Sequence, residues 1–407
     1  VAEPLVTGAS AAGVPQDGEV TATATRLPAL VPPPTELPPR AAQLRAQVRA
    51  FLAEERAAGL WTPRADVWLS GWDERFTKEL GRRGWLGMTI PVEYGGRGAT
   101  SLDRYVVTEE LLAAGAPVAA HWVADRQIGP TLMRFGTEEQ RRRYLPRIAA
   151  GECYFGIGMS EPDAGSDLAA VRTRAVQVDG GWELTGTKVW TSGAHHAHAF
   201  FALARSAPKD DADRHAGLSQ FIVELDSPGV QIRPIPLLTG AHHFNEVVFD
   251  RVFVPDAMVL GELGAGWRQV TGELAFERSG PERFLSTFPL LTALIGELSG
   301  TGEAREVGRL VARLWTLRRM SLAVAGSLDA GDAPELAAAL VKDLGTRFEN
   351  EIVDAARTLV AVPPDPGAEG GFARLLADAV LHAPGFTLRG GTNEVLRGIV
   401  ARGMGLR

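Results

Sequence analysis

The chain has almost no cysteine: Cys153 is the only one in 407 residues. A lone thiol forms no intrachain disulfide and no Cys-based metal site, and it suits a reducing cytoplasm. Long apolar runs are also missing. None reaches the roughly 20 residues that span a bilayer as a helix. The stretch Val1–Leu30 lacks a charged start followed by an apolar core, so no secretory signal is expected there. Excess positive charge is absent as well. A formal net charge of −7 excludes the basic stripe of a nucleic-acid binder. It leaves room for a polyanionic ligand, because a few local arginines can hold a phosphate. Finally, there is no short-period repeat and no alternation of strand and helix, which excludes a Rossmann-type sheet.

What is present falls into three regions after a leader. Residues 1–36 are rich in Ala, Pro, Thr and Gly without an apolar period, and read as a disordered arm. Residues 37–150 read as helical. Leu44, Val48, Phe51 and Leu52 share one face, a second helix runs from Trp72 to Arg83 and ends at Gly84, and Thr137 with Gln140 forms a capping box. Further helices are expected over 102–114 and 128–135. From 151 to 263 the pattern changes to short strands: 171–178, 182–184, 200–204, 219–224, 230–234 and 246–249. These predict a small β-barrel or sandwich. The helical period returns over 264–407. The fold class is therefore α+β, with a central β domain between two helical ones.

Two loops carry the chemical signal. The first is Gly158-Met-Ser-Glu-Pro-Asp-Ala-Gly-Ser-Asp167, whose small residues offer backbone N–H groups and hydroxyls to an anion or a polar ring. The second is Lys188-Val-Trp-Thr-Ser-Gly193, at a strand end. The first closely resembles the flavin- and substrate-binding signature of acyl-CoA dehydrogenases. The second is similar to that family's Lys-x-Trp-Ile-Thr-Asn-Gly. Phe135–Gln140, Leu145–Glu152 and Phe249–Trp267 extend the resemblance over roughly residues 40–280, and it returns at 390–406. The resemblance implies a helical N-terminal domain, a central β domain and a C-terminal four-helix bundle. It implies FAD, with Ile157, Met159, Ser160, Trp190 and Ser192 at the ring and Thr392 and Glu394 approaching a flavin shared with a neighbour. An aromatic face against a flavin and a donor near N5 are physically sensible. Ser166 and Phe276 are implied on the acyl-CoA side, and an electron-transfer flavoprotein as the acceptor.

The α-proton acceptor is expected to be a carboxylate. Many members of the family carry it near the C-terminus, where this chain has Arg389-Gly390-Gly391-Thr392. Gly390 has no side chain but keeps the N–H that, in the family, holds the thioester carbonyl. Other members place the Glu before an Arg on the first C-terminal helix, which matches Glu277-Arg278, with Glu273 one turn earlier as the second candidate. The family's Arg-x-x-Phe-Gly and Gln-x-x-Gly-Gly stretches, which hold the flavin's pyrophosphate and adenosine parts, are replaced by Pro281–Ser286 and Leu359–Gly367. Either a homotetramer with altered contacts or a heterotetramer with a related chain follows. A non-catalytic half-site subunit and a same-fold flavin oxidase or monooxygenase are the alternative functions. His195, His196 and His198 lack an evident third metal ligand, and no metal is expected. His242 and His243 read as part of a substrate-side loop.

Overall fold

The computed structural model describes residues 30–406 apart from 211, 299–302 and 333, and only the backbone of 273–277. Most of the expected arm lies outside the described residues. Its last residues lie against the C-terminal region, where Arg319 bonds Glu36 at 2.9 Å.

The N-terminal helices are α1 (Arg40–Ala57), α2 (Val67–Ser70), α3 (Glu74–Arg83), α4 (Ser101–Ala113), α5 (Ala119–Val123), α6 (Gly129–Phe135) and α7 (Glu138–Ala149). Local chemistry sets their ends. The Asp73 carboxylate accepts the Phe76 N–H, so α3 begins at Glu74 and not at Trp72. Gly84, at φ 71°, stops it in the left-handed region that glycine adopts without strain. Thr100 and Thr137 cap α4 and α7 through complete capping boxes with Asp103 and Gln140. Between α5 and α6 the chain makes one π-helical turn, Ala124–Ile128.

The middle region holds β1 (Phe155–Gly158), β2 (Arg174–Val178), β3 (Gly181–Ser192), β4 (Ala199–Arg205), β5 (Leu218–Glu224), β6 (Val230–Ile235), β7 (Phe244–Pro255) and β8 (Val259–Leu260). They form one mixed sheet in the order β6-β7-β3-β2-β4-β5-β8, with β1 parallel beside β4. The sheet wraps on itself. Phe200 of β4 meets Phe249 of β7, and Trp182 of β3 meets Phe221 of β5, with ring centroids 5.8 and 5.6 Å apart. β3 and β7 pair along their length as twelve-residue strands, longer than the apolar alternation predicts. Two register shifts in β3, at Leu184/Gly186 and Lys188/Thr191, break the period without ending the strand.

The C-terminal region is helical: α8 (Gly266–Arg278), α9 (Phe288–Glu297), α10 (Ala304–Asp329), α11 (Glu335–Leu359), α12 (Gly371–Phe386) and α13 (Asn393–Gly403). α11 lies at its centre, against α8, α9, α10, α12 and α13. Among the described residues no helix is long and apolar enough to cross a membrane.

The cores tie the regions together. One apolar cluster joins Phe51, Phe76 and Leu111 of the first region to Phe284, Leu310, Phe348 and Phe386 of the last. A second joins Ile128, Leu132 and Tyr144 to the interior of the sheet. The N-terminal region therefore packs against both of the others.

Candidate functional site

The loop 158–167 leaves β1 at Gly158. A Cβ there would sit 1.8 Å from the Phe200 ring, so only glycine lets the chain pass over it. The loop is then pinned to β3. Val189 donates its N–H to the Ser160 carbonyl at 2.9 Å. Beneath it lies a buried ion pair. Lys188 Nζ stands 2.8 Å from Glu161 Oε1 and 3.2 Å from the Met159 carbonyl. Glu161 also accepts the N–H groups of Arg172 and Thr173, at 2.6 and 2.9 Å. Burial lowers the Lys188 pKa to about 8, against the pull of Glu161. Burial pushes Glu161 up, but Lys188 and the N–H donors bring it below its ordinary value. Met159, Ser160, Trp190 and Ser192 are thus held in one assembly by residues just before and between them.

Trp190 protrudes for a local reason. Lys188 pairs with Val247 and Thr191 with Asn245, so two β3 residues oppose one β7 residue. In this bulge Trp190 takes φ 61°, a strained conformation for a bulky residue. The residue is 57% exposed, and its ring meets that of Phe244 in a T-shaped contact, centroid to centroid 5.9 Å. Three residues on, Gly193 donates its N–H to the His243 carbonyl at 2.7 Å. This sets Ser192, half-buried, at the strand end beside Trp68, Leu69 and Trp72. Ile157 lies half-buried on β1. Ser166 is exposed on the far part of the loop.

His195 stacks on His242 at 4.0 Å, and the Asn245 amide bridges His195 Nδ1 and His242 Nε2 at 3.0 and 2.8 Å. Burial lowers His195 to about 4, leaving it neutral. His198 Nδ1 accepts the Tyr154 N–H at 3.1 Å. Among the described residues no group of three or more His, Cys, Asp or Glu side chains could hold a metal ion.

On the C-terminal side, Gly390 and Gly391 form a left-handed turn, at φ 68° and 88°, between α12 and α13. Arg278, the last residue of α8, donates from Nε to the Gly390 carbonyl at 3.2 Å. Buried Lys342 donates to the carbonyls of Thr387 and Gly391 and to Asn393 Oδ1, at 3.3, 2.7 and 2.8 Å. Among the described residues the Gly390 N–H donates to no protein acceptor. The backbone of Glu277 and Phe276, at the end of α8, is therefore brought to the Gly390 turn; their side chains lie outside the described residues. Thr392 caps α13 by accepting the Val395 N–H, and Glu394 is exposed in its first turn. No described contact joins either to Ser160, Trp190 or Ser192.

One contact chain does link the two halves. Arg389 makes a bidentate pair with Asp66, 2.6 Å at both bonds. His382 Nδ1 bonds the same carboxylate at 2.9 Å. The His382 ring lies parallel to that of His243, centroids 6.2 Å apart, and His243 holds Gly193. Sequence reading missed Asp66, His382 and Lys342. The one available signal was a lysine inside the apolar run Leu336–Leu344.

Three family models match the chain: the acyl-CoA dehydrogenase N-terminal domain at 38–152, the middle domain at 156–252 and the C-terminal domain at 302–405. Acyl-CoA dehydrogenase IpdE1 of Mycobacterium tuberculosis is 36% identical over 88% of this chain and 96% of its own length. The solved structure titled Tcur3481-Tcur3483 steroid ACAD is similar at 31% identity and TM-score 0.78, covering 91% of this chain and 99% of that one. The ChsE4-ChsE5 complex from Mycobacterium tuberculosis is similar at 29% identity and TM-score 0.74, covering 90% and 97%.

Proposed function

Because the chain belongs to the acyl-CoA dehydrogenase family, oxidoreductases that act on acyl-CoA thioesters with FAD, we propose that it converts an acyl-CoA to the trans-2-enoyl-CoA. The residues present fit a flavin. Trp190 is an exposed aromatic held out by a strained bulge, and Ser160 and Ser192 lie on the loop and the strand that Glu161 and Lys188 tie together. Ile157 and Met159 are assigned to the same flavin ring, while Thr392 and Glu394 are assigned to a neighbouring subunit's flavin. FAD, when bound, supplies the acceptor for the hydride that leaves the β carbon.

The chain's own residues do the rest. Glu277 takes the α proton. The Gly390 N–H donates to the thioester carbonyl and stabilises the enolate-like charge that develops there. Arg278 holds the following peptide of the turn at the Gly390 carbonyl, and Phe276 and Ser166 are assigned to the acyl-CoA. The observation that carries this reading is the Arg278–Gly390 bond at 3.2 Å, which brings the end of α8 to a turn whose Gly390 N–H has no protein acceptor among the described residues. The test is anaerobic mixing of the FAD-loaded protein with straight-chain, branched and steroid side-chain acyl-CoA thioesters. Bleaching of the oxidised flavin band by at least one is expected. No bleaching by any, alone or with a related partner chain, counts against the reading.

A heterotetramer is the second reading. Arg283, the arginine of Pro281–Ser286, is fully buried with its guanidinium 4.9 Å from the Trp68 ring, so it does not reach outward to a neighbour's flavin. Two of the similar solved structures are titled with two different chains. A related chain would then supply the missing flavin contacts. Light scattering and FAD content, with and without the product of an adjacent related gene, separate it from a homotetramer. Electrons then pass to an electron-transfer flavoprotein.

A further inference from the structure

Asp66 is fully buried and sits at φ 58°, ψ 35°, a left-handed conformation for a residue with a side chain. It precedes α2 in the capping position, yet its carboxylate makes no cap bond. An aspartate there ordinarily accepts an N–H of the first turn. This one reaches across the domain junction to Arg389 and His382. Burial pushes its pKa up, but Arg389 and His382 outweigh that and hold it well below the usual carboxylate range. The Arg389 guanidinium is confined on its faces as well, 4.5 Å from the Trp68 ring and 5.1 Å from that of Phe386. Two bonds and two aromatic faces leave it no second place to go.

We propose that Asp66 is a positioning residue: by gripping Arg389 from the N-terminal domain it sets the left-handed Gly390–Gly391 turn and so aims the Gly390 N–H at the thioester carbonyl. The inference rests on the reading above that this N–H holds the carbonyl. Two successive glycines have the widest backbone freedom of any pair, so the direction of that N–H depends on what holds the turn. Lys342 holds the downstream end, and Arg278 the Gly390 carbonyl. Arg389 is the upstream residue, and its tether comes from another domain. Through His382 and His243 the same carboxylate is three contacts from Gly193, next to Ser192. One buried group therefore spaces the carbonyl-holding turn from the strand end assigned to the flavin.

The test uses the FAD-loaded holoprotein and two variants. Asp66→Asn keeps the shape and removes the charge. Asp66→Asn with Arg389→Met removes both charges, which often leaves stability nearly unchanged where a single removal does not. Activity is measured with the best acyl-CoA. A 3-thia-acyl-CoA is measured in parallel. It cannot be oxidised, but it loses its α proton when its carbonyl is polarised, and the anion gives a long-wavelength band beside oxidised flavin. Expected in both variants is kcat lowered about tenfold or more, with KM within about threefold. FAD content should hold and the band should weaken. A loss of packing alone would not single out carbonyl polarisation. If Asp66→Asn does not fold, the double variant decides. A folded, FAD-loaded variant with wild-type kcat and an unchanged band overturns the proposal. If wild type gives neither turnover nor band, the reading of the site falls, and this inference with it.

Discussion

Arg278 donates its Nε–H to the carbonyl oxygen of Gly390 at 3.2 Å, across 112 positions of sequence. The bond joins the end of the first C-terminal helix to the turn where many members of the family carry their base. The backbone at position 277 and the glycine at position 390 thus belong to one place. The proposed base at Glu277 requires that arrangement.

Glu277→Gln keeps size and polarity and removes the proton acceptor. The rate of flavin bleaching by acyl-CoA should fall at least about a hundredfold, with FAD still bound. Glu273→Gln should do much less. Adding Gly390→Glu to the Glu277 variant should restore part of the rate. The restoration is limited because φ at this position is 68°, where a side chain costs roughly 1–2 kcal/mol. Rapid-mixing absorbance at the oxidised flavin band reads all three. Bleaching at the wild-type rate by Glu277→Gln would place the base elsewhere.

Trp190 separates stability from cofactor binding. Its φ of 61° suits glycine and strains tryptophan. Trp190→Gly should therefore keep or raise Tm in the FAD-free protein, while FAD affinity falls at least about tenfold through loss of the aromatic face. Thermal melts of the stripped protein and a flavin titration test the two halves separately. Unchanged affinity would remove Trp190 from the site.

The Glu161–Lys188 pair should behave as a buried charge pair. Glu161→Gln leaves the Lys188 ammonium, which is fully buried, without its counter-charge. The expected loss is about 3–5 kcal/mol, with weaker FAD retention because Ser160 and Trp190 are both held by this pair. Adding Lys188→Met should return most of the stability. Denaturant titration of the three proteins is the measurement, and equal midpoints would show that the pair carries no such weight.

Glu349 predicts a pH dependence. Burial, partly offset by Arg389, pushes its pKa up to about 7 from an ordinary 4.5. The folded state then binds a proton that the unfolded state has released, over the window between those values. Stability falls as pH rises through that window, by on the order of 3 kcal/mol when complete. Glu349→Gln has no proton to lose. It should match wild type near pH 5 and melt higher near pH 8. Parallel Tm curves at both pH values would contradict the assignment.

Much of the fold was legible in the chain because it depends on local chemistry. Asp73, Gly84, Thr100 and Thr137 act on backbone groups within a few residues, and the period of Leu44, Val48, Phe51 and Leu52 belongs to one helix. The three regions, the loop 158–167 and the strand end 188–193 could be read for the same reason: small residues and turn formers announce themselves in sequence.

What the tertiary structure decided is which distant groups share a low-dielectric space. The sequence by itself supplied Glu161 and Lys188 as members of two motifs; only pairing of loop with strand, with Lys188 fully buried, made them one ion pair. It supplied Gly390 as a missing side chain; only packing of α8 against the turn brought Arg278 to its carbonyl. Asp66 carried no signal at all, sitting between helices and 323 positions from Arg389. A charge reveals nothing of its partner until burial removes water as the alternative. That removal depends on three domains closing over the same point, which no local pattern encodes.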